Sequence, residues 1–265
     1  MKPVIMALVT FNCLKKAREC VLSVLERTDL GLCDLYVVDN GSEDGMAQWL
    51  MDVAPKHMGI TYIFNSRNAG LSAAVNQVWA HRQPEQHCGW IAHDMLIGRD
   101  DWLQCMLHAF DVYPDLGYVA GWKGGSIEHY HRVGGRGRDI GNGTVLEIVS
   151  MVYGSLTLMR APLAEQFGGL WQPGPWLVFE DIITSLRTRR LDWRQAYIAG
   201  KPPLATSLPS SATYSDEWKQ LLAEEHAQFY DPSGMSGLSA SVVDPWYERS
   251  GRDLYVPLPK RGTVY

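Results

Sequence analysis

The sequence predicts a doubly wound α/β fold, in which helices cover both faces of a mostly parallel sheet. Three observations carry this expectation. Short apolar runs alternate with segments of helical spacing from residue 4 to about residue 92. The first run is continuous, as in a strand buried on both faces. Most runs end in a cluster of small polar or acidic residues, at the strand ends where open α/β sheets hold their ligands.

In chain order, Val4 to Val9 is the first strand, closed by Thr10-Phe11-Asn12. Leu14 to Arg27 has helical spacing, with Ala17, Val21, Val24 and Leu25 on one side. The second strand, Leu35 to Val38, ends in Asp39-Asn40-Gly41-Ser42, and Met46 to Val53 resumes a helical pattern. Thr61 to Phe64 is the third strand, followed by the turn from Asn65 to Gly70 and a helix through Ala73, Val75, Val78 and Trp79. Trp90-Ile91-Ala92 makes a fourth strand and delivers His93-Asp94 at its end.

Beyond this point the pattern changes. Gly117 to Gly121 reads as a strand, and the Gly-, Arg- and His-rich stretch Gly124 to Gly143 as a mobile loop. Glu147 to Leu158 returns to strand composition and Pro162 to Phe167 to a short helix. Asp181 to Arg190 reads as a helix with exposed charged positions, Lys201 to Tyr214 as a Pro- and Ser-rich connection, and Glu217 to Tyr230 as an amphipathic helix. One domain over 1–230 is expected, in two halves that divide at about 98/99, with an irregular extension over 231–265.

At 265 residues and 46% hydrophobic content the chain buries a large core. A formal net charge of -5 leaves no global attraction for nucleic acid or anionic membrane. No run approaches the roughly 20 apolar residues of a membrane span. The five cysteines are scattered without a CxxC pair, which points to buried free thiols in a reducing cytoplasmic setting.

The strand-end clusters hold the candidate chemistry. Asp39 is a carboxylate at the mouth of a buried strand and needs a partner. Asn40, Ser42 and Asp44 can hydrogen-bond a planar heterocycle, and Ser42 or Asp44 can equally cap the next helix. Asn65, Arg67, Asn68 and Gly70 form a second polar loop, in which glycine permits close backbone approach and Arg67 offers charge to a phosphate. Asp94 is placed to bridge a divalent cation to a diphosphate, with His93 as a ligand or a supporting partner. Glu180-Asp181 begins a helix, where acidic residues suit the helix dipole and where a general base could also sit. Trp171 and Trp176 offer faces for stacking on a sugar ring, or ordinary core material.

Taken together these residues resemble the inverting GT-A glycosyltransferases of the family-2 type, with a Rossmann-like sheet, over about Val4 to Tyr230. The resemblance lies in Thr10-Phe11-Asn12, in Val37 through Gly45, in Asn68 through Asn76, in Gly154 through Leu170, and in Glu180-Asp181 with Arg187. It implies nucleotide contacts from Thr10, Phe11, Asn12, Asp39, Asn40, Ser42, Asn65, Arg67, Asn68, Gly70 and His93. It further implies a metal at Asp94 (Mn2+ or Mg2+), a base at Asp181 with Glu180 next in line, and acceptor contacts from Trp171, Trp176 and Arg187. A UDP-sugar is the favoured donor. The family's metal motif is usually Asp-x-Asp, and the matching triplet here is Ala92-His93-Asp94. Ile183 stands where a second acidic residue is often found, and the late histidine of many relatives has only His226, His129 or His131 as candidates.

Two other readings compete. A nucleotidyltransferase shares the fold but normally carries a Gly-rich basic first loop, and Thr10 to Leu14 has no glycine. A transferase-like domain that only binds a glycan or protein is favoured by Ala92 and Ile183 and opposed by Asp39, Asp94 and Glu180-Asp181. A glycan, a lipid-linked sugar, a protein or a hydroxylated nucleic-acid base all remain open as acceptor. Arg132, Arg136 and Arg138 could grip a phosphorylated one, or form a solvated basic loop.

Overall fold

Val4–Thr10 forms β1, fully buried along its length and hydrogen-bonded on both sides. It pairs in parallel with β2 (Cys33–Asp39) and with β4 (His87–Ala92). The computed structural model describes residues 1–122, 137–172, 180–208 and 216–229. Trp176, Arg132, Arg136, His129, His131 and the 231–265 extension lie outside the described residues.

The remaining elements are α1 (Leu14–Arg27), α2 (Met46–Val53), β3 (Thr61–Phe64), α3 (Leu71–Trp79), β5 (Met95–Ile97), α4 (Trp102–Val112) and β6 (Leu116–Ala120). They continue with β7 (Arg138–Gly141), β8 (Thr144–Val149), β9 (Leu156–Met159), α5 (Ala161–Phe167), α6 (Glu180–Arg190), β10 (Arg194–Gly200), β11 (Ala205–Ser207) and α7 (Asp216–Phe229). The nine-stranded sheet runs β3-β2-β1-β4-β9-β6-β10-β8-β7, and β11 pairs with β5 in a small second sheet.

Alternation along β1 explains the layers. Val4, Met6 and Leu8 face α1, α2 and α4, whereas Ile5, Ala7 and Val9 face α3 and α5. Period-2 alternation of a strand with two apolar faces demands cover on both. The chain supplies it by crossing over β1 between β3 and β4, so that α3 lies opposite α1 and α2. Strand order therefore reverses between β1 and β4, the crevice position where open α/β sheets bind ligands.

The α/β fold stands as expected, and β3-β2-β1-β4 is parallel throughout. β9 is antiparallel to both β4 and β6, and β10 is parallel to β6. Hence β1, β4, β6 and β10 point the same way and share one C-terminal edge.

Three expectations are corrected. Arg138–Gly141, inside the stretch expected to be a loop, is an edge strand paired with β8. Only Ile140 of it is buried, so little apolar alternation betrays it. Arg138 lies over the Tyr113 ring at 5.2 Å. Helix α6 is mostly buried and not charge-exposed. The Pro- and Ser-rich connection contains β11. The structure also adds β5, α4 and β10. No helix among the described residues is long and apolar enough to cross a membrane.

Candidate active site

The end of β1 and the end of β2 are tied through side chains. Asp39 is 1% exposed, and its carboxylate accepts from Ser42 Oγ at 2.5 Å, Ser42 N–H at 3.3 Å and Thr10 Oγ1 at 3.4 Å. Burial raises its pKa, and these hydrogen bonds pull it back. Ser42 Oγ in turn accepts from the Asn12 N–H at 2.8 Å, and Asn12 Oδ1 accepts from the Glu43 N–H at 3.0 Å. Asn12 takes a left-handed φ of 51, a conformation its short polar side chain tolerates. Phe11 is half-buried beside it.

Asp44 serves the fold. Its carboxylate accepts from the Leu14 N–H at 2.6 Å and the Met46 N–H at 3.2 Å, satisfying first-turn donors of α1 and α2 together.

The three asparagines interlock across two loops. Asn40 Oδ1 accepts from Asn65 Nδ2 at 2.9 Å and from the Ala69 N–H at 3.1 Å. Asn40 Nδ2 donates to Asn68 Oδ1 at 2.8 Å, which also accepts from the Gly70 N–H at 2.8 Å. Asn40, Asn65 and Asn68 therefore set the spacing of the loops. Gly41 lets the loops touch: a Cβ there would lie 2.4 Å from the Arg67 carbonyl carbon. Arg67 itself projects into solvent. Gly70, at φ 84 and ψ 157, turns the chain into α3 in a region open only to glycine.

Across the switch crevice, His93 and Asp94 form the turn between β4 and β5. The His93 ring hydrogen-bonds the Val9 carbonyl, and burial lowers its pKa, with Asp94 opposing and Lys16 adding to the shift. The ring therefore anchors the turn to β1. The half-buried Asp94 carboxylate has no hydrogen-bond or ion-pair partner among the described residues, while its backbone carbonyl accepts from the Leu208 N–H at 2.7 Å.

Glu180 and Asp181 open α6. Burial is the main cause raising both carboxyls, and the Asp181 charge makes Glu180 harder still to ionise. Asp181 is the better stabilised as an anion. Its Oδ1 accepts from the Ile182 N–H at 2.7 Å, and the Gly154 N–H also donates to it. Glu180 is 7% exposed and feels Glu225, a buried residue of α7.

Gly154 and Ser155 link the two sides. The Ser155 carbonyl accepts from the Ala92 N–H at 2.7 Å, so adjacent residues hold the Asp94 turn and Asp181. A Cβ at Gly154 would lie 2.3 Å from Thr157 Cγ2, so the linker requires glycine. Below it, the Tyr118 hydroxyl hydrogen-bonds Thr157 and Trp90, and burial pushes its pKa far up.

Of the acceptor candidates, Trp171 is half-buried. Arg187 is 3% exposed, donates to the Gly169 carbonyl at 3.3 Å and lies 5.7 Å from the Phe167 ring centre. It supports the 167–169 turn from within. His226 is exposed on α7. Sequence reasoning gave no role to Lys16, Asn76, Gly154 or Glu225, which the structure brings to the site or its supports.

Strand-end clusters gathered at one switch crevice, with a second acidic site facing it, define a GT-A glycosyltransferase fold. Residues 6–168 match the model described as glycosyl transferase family 2; this is over half of the chain, which belongs to that family. Similar solved structures include a mannosyltransferase from Pyrobaculum calidifontis in complex with GDP-Man and Mn2+. It has 18% identity and a TM-score of 0.59, over 86% of this chain and 64% of that one. Residues 1–349 of S. aureus TarS give 11% identity and a TM-score of 0.57, over 89% of this chain and 67% of that one. The TarS complex with UDP-GlcNAc gives 13% and 0.58, with 89% and 68% covered. The chain thus spans about two thirds of these structures' length. No curated protein sequence matches it.

Proposed function

We propose that this chain transfers a sugar from a nucleotide-sugar donor to an acceptor hydroxyl with inversion at the anomeric carbon. The observation that carries the reading is the Gly154-Ser155 link, which joins the Asp94 turn to the desolvated Asp181 within one site. A leaving diphosphate at the first and an entering hydroxyl at the second are the two ends of a single displacement.

Thr10, Phe11, Asn12, Asp39 and Ser42 line the base and ribose side, with Asn40, Asn65, Asn68 and Gly70 fixing its shape. Arg67 is free to swing onto a phosphate. A carboxylate-centred pocket accepts the imide N–H of uracil, which supports a UDP-sugar as donor. Guanine presents a comparable N–H.

The residues fit a divalent cation that arrives with the diphosphate. Asp94 offers one hard oxygen ligand, and among the described residues no three His, Cys, Asp or Glu side chains cluster to hold an ion alone. Mg2+ and Mn2+ suit such a site, because phosphate oxygens and water complete their shell. When bound, the cation supplies charge neutralisation to the departing diphosphate. Asp181 takes the acceptor proton as the hydroxyl oxygen bonds to C1, and the C1–O bond electrons leave with the nucleoside diphosphate. Trp171 and Trp176 are the proposed stacking faces for the acceptor, which is a glycan, lipid-linked sugar, protein or modified nucleic acid. Buried Arg187 would act through the turn it holds. Five buried free thiols fit a cytoplasmic setting.

The test is a panel of UDP-, GDP- and other nucleotide sugars, with and without Mn2+ or Mg2+, read by nucleoside diphosphate release and by anomeric NMR. Transfer or slow hydrolysis of one donor with inversion is expected. A retained configuration, or pyrophosphate released from a nucleoside triphosphate plus a sugar phosphate, overturns the proposal.

A further inference from the structure

Helix α1 lies lengthwise against the strand-end turn that carries Asp94. Ser23 Oγ accepts from the Ile97 N–H at 3.2 Å. One turn earlier, Cys20 Sγ donates to the Ala92 carbonyl at 3.4 Å and also meets the Met95 backbone. Residues 16, 20 and 23 share one helix face. Another turn towards the N-terminus, about 6 Å along the axis, therefore brings Lys16 to His93-Asp94, within electrostatic reach of His93.

Lys16 is half-buried and makes no ion pair with any described residue. Partly burying an ammonium costs solvation that an acidic partner normally returns. Two carboxylates share the surroundings of His93 with it: Asp44, taken up by the Leu14 and Met46 N–H groups, and Asp94, which has no ion pair among the described residues. Both residues sit beside His93 at the C-terminal end of β4, next to the β1/β4 switch point. A cation and an anion held apart at one crevice fit a ligand that is anionic and carries its own counterion.

We propose that the Lys16 ammonium binds the donor's diphosphate directly, alongside the cation at Asp94. The inference rests on the nucleotide-sugar reading and deepens it. As the bond from C1 to the phosphate oxygen breaks, its electron pair passes to that oxygen. The Lys16 ammonium hydrogen-bonds the growing charge on that oxygen. Diphosphate binding thus has a component that survives removal of the metal.

Calorimetry on the full chain, with UDP against uridine and GDP against guanosine, tests this in EDTA and in Mn2+. In EDTA the wild type should bind one diphosphate tighter than its nucleoside by about tenfold or more. Lys16→Ala should abolish that preference while leaving nucleoside affinity and the melting temperature unchanged, and Lys16→Arg should restore most of it. A preference for diphosphate that persists undiminished in Lys16→Ala overturns the inference and leaves the donor reading intact. If the wild type binds none of the four ligands, with or without Mn2+, the donor reading falls and takes the inference with it.

Discussion

Asp181 and Glu180 are adjacent carboxyls in different surroundings. Asp181 receives N–H donors from Ile182 and Gly154, which favour its anion. Glu180 is held in a drier place beside Glu225. The proton therefore leaves Asp181 first, which suits it to the proposed role of base. Asp181→Asn should lower kcat by about 10²–10⁴-fold with nucleotide affinity preserved, as stopped assays and calorimetry would measure. A near-active Asp181→Asn beside a dead Glu180→Gln would move the base by one residue. Because burial raises the Asp181 pKa, the base is lost on acidification earlier than an ordinary carboxylate would be. The acidic limb of the kcat profile should lie above the usual carboxylate range and vanish in Asp181→Asn. Stability runs the other way. A buried acid with a raised folded pKa binds more protons folded than unfolded, so stability falls as pH rises from the unfolded towards the folded value. Glu180→Gln should match wild type in melting temperature near pH 4 and exceed it near pH 8. Equal melting temperatures at pH 8 would show that Glu180 ionises without strain.

The loops at the ends of β2 and β3 work as one piece, because Gly41 packs on the Arg67 backbone and Asn40 bridges to Asn65, Asn68 and Ala69. Gly41→Ala has to displace that backbone and also strain a residue at φ 82, a cost of about 1–3 kcal/mol from the dihedral alone. Gly59→Ala is the control, since its φ is 88 and a Cβ there meets nothing within 4 Å. Gly41→Ala should lose more stability in urea melts than Gly59→Ala and weaken nucleotide binding as well; equal losses would mean that the close approach carries no energy. In the sequence these loops were visible as polar clusters, but their interlocking was not, because it joins residues about 25 apart. The bounds of α1, α2 and β3 were legible, since an apolar stripe or run defines each. Burial of α6 was hidden by its polar composition. Thr184 and Thr188 donate to carbonyls one turn back at 2.6 and 2.8 Å, and Ser185 exchanges hydrogen bonds with Val152. Its hydroxyls are thus satisfied internally and the helix tolerates a dry setting. Helix α4 has a buried stripe of Trp102, Cys105, Met106, Ala109 and Phe110, a helical spacing that the sequence carries. β5 and β11 have three residues each, too few for alternation to register.

At the scale of the molecule, the proposed donor and acceptor sides are joined, among the described residues, by a specific polar tie on α3. Asn76 Nδ2 donates to the Leu170 carbonyl at 2.9 Å, and its Oδ1 accepts from the Leu170 N–H at 2.8 Å. One amide thereby clamps both backbone groups of a residue 94 positions away. Gln172 Oε1 reinforces the strap by accepting from the Ser72 N–H at 3.0 Å. Helix α3 starts at Gly70 in the donor loop, and Leu170 leads to Trp171 and the approach to Glu180. The clamp therefore sets where the acceptor side sits relative to the donor, although Asn76 contacts neither substrate in the proposed site. Asn76→Ala should leave nucleotide-sugar affinity close to wild type, since the Asn40 network remains. Displacement displaced by about 1 Å from its best geometry loses as much as 10²-fold in rate, so kcat should fall by about 10–100-fold. Asn76→Asp keeps the acceptor for the Leu170 N–H but sets a negative oxygen against the Leu170 carbonyl, and should be no better than Ala. Single-turnover rates together with donor titrations separate the possibilities. If donor affinity falls in step with rate, Asn76 belongs to the donor site. If neither changes, the two sides are aligned by the sheet alone.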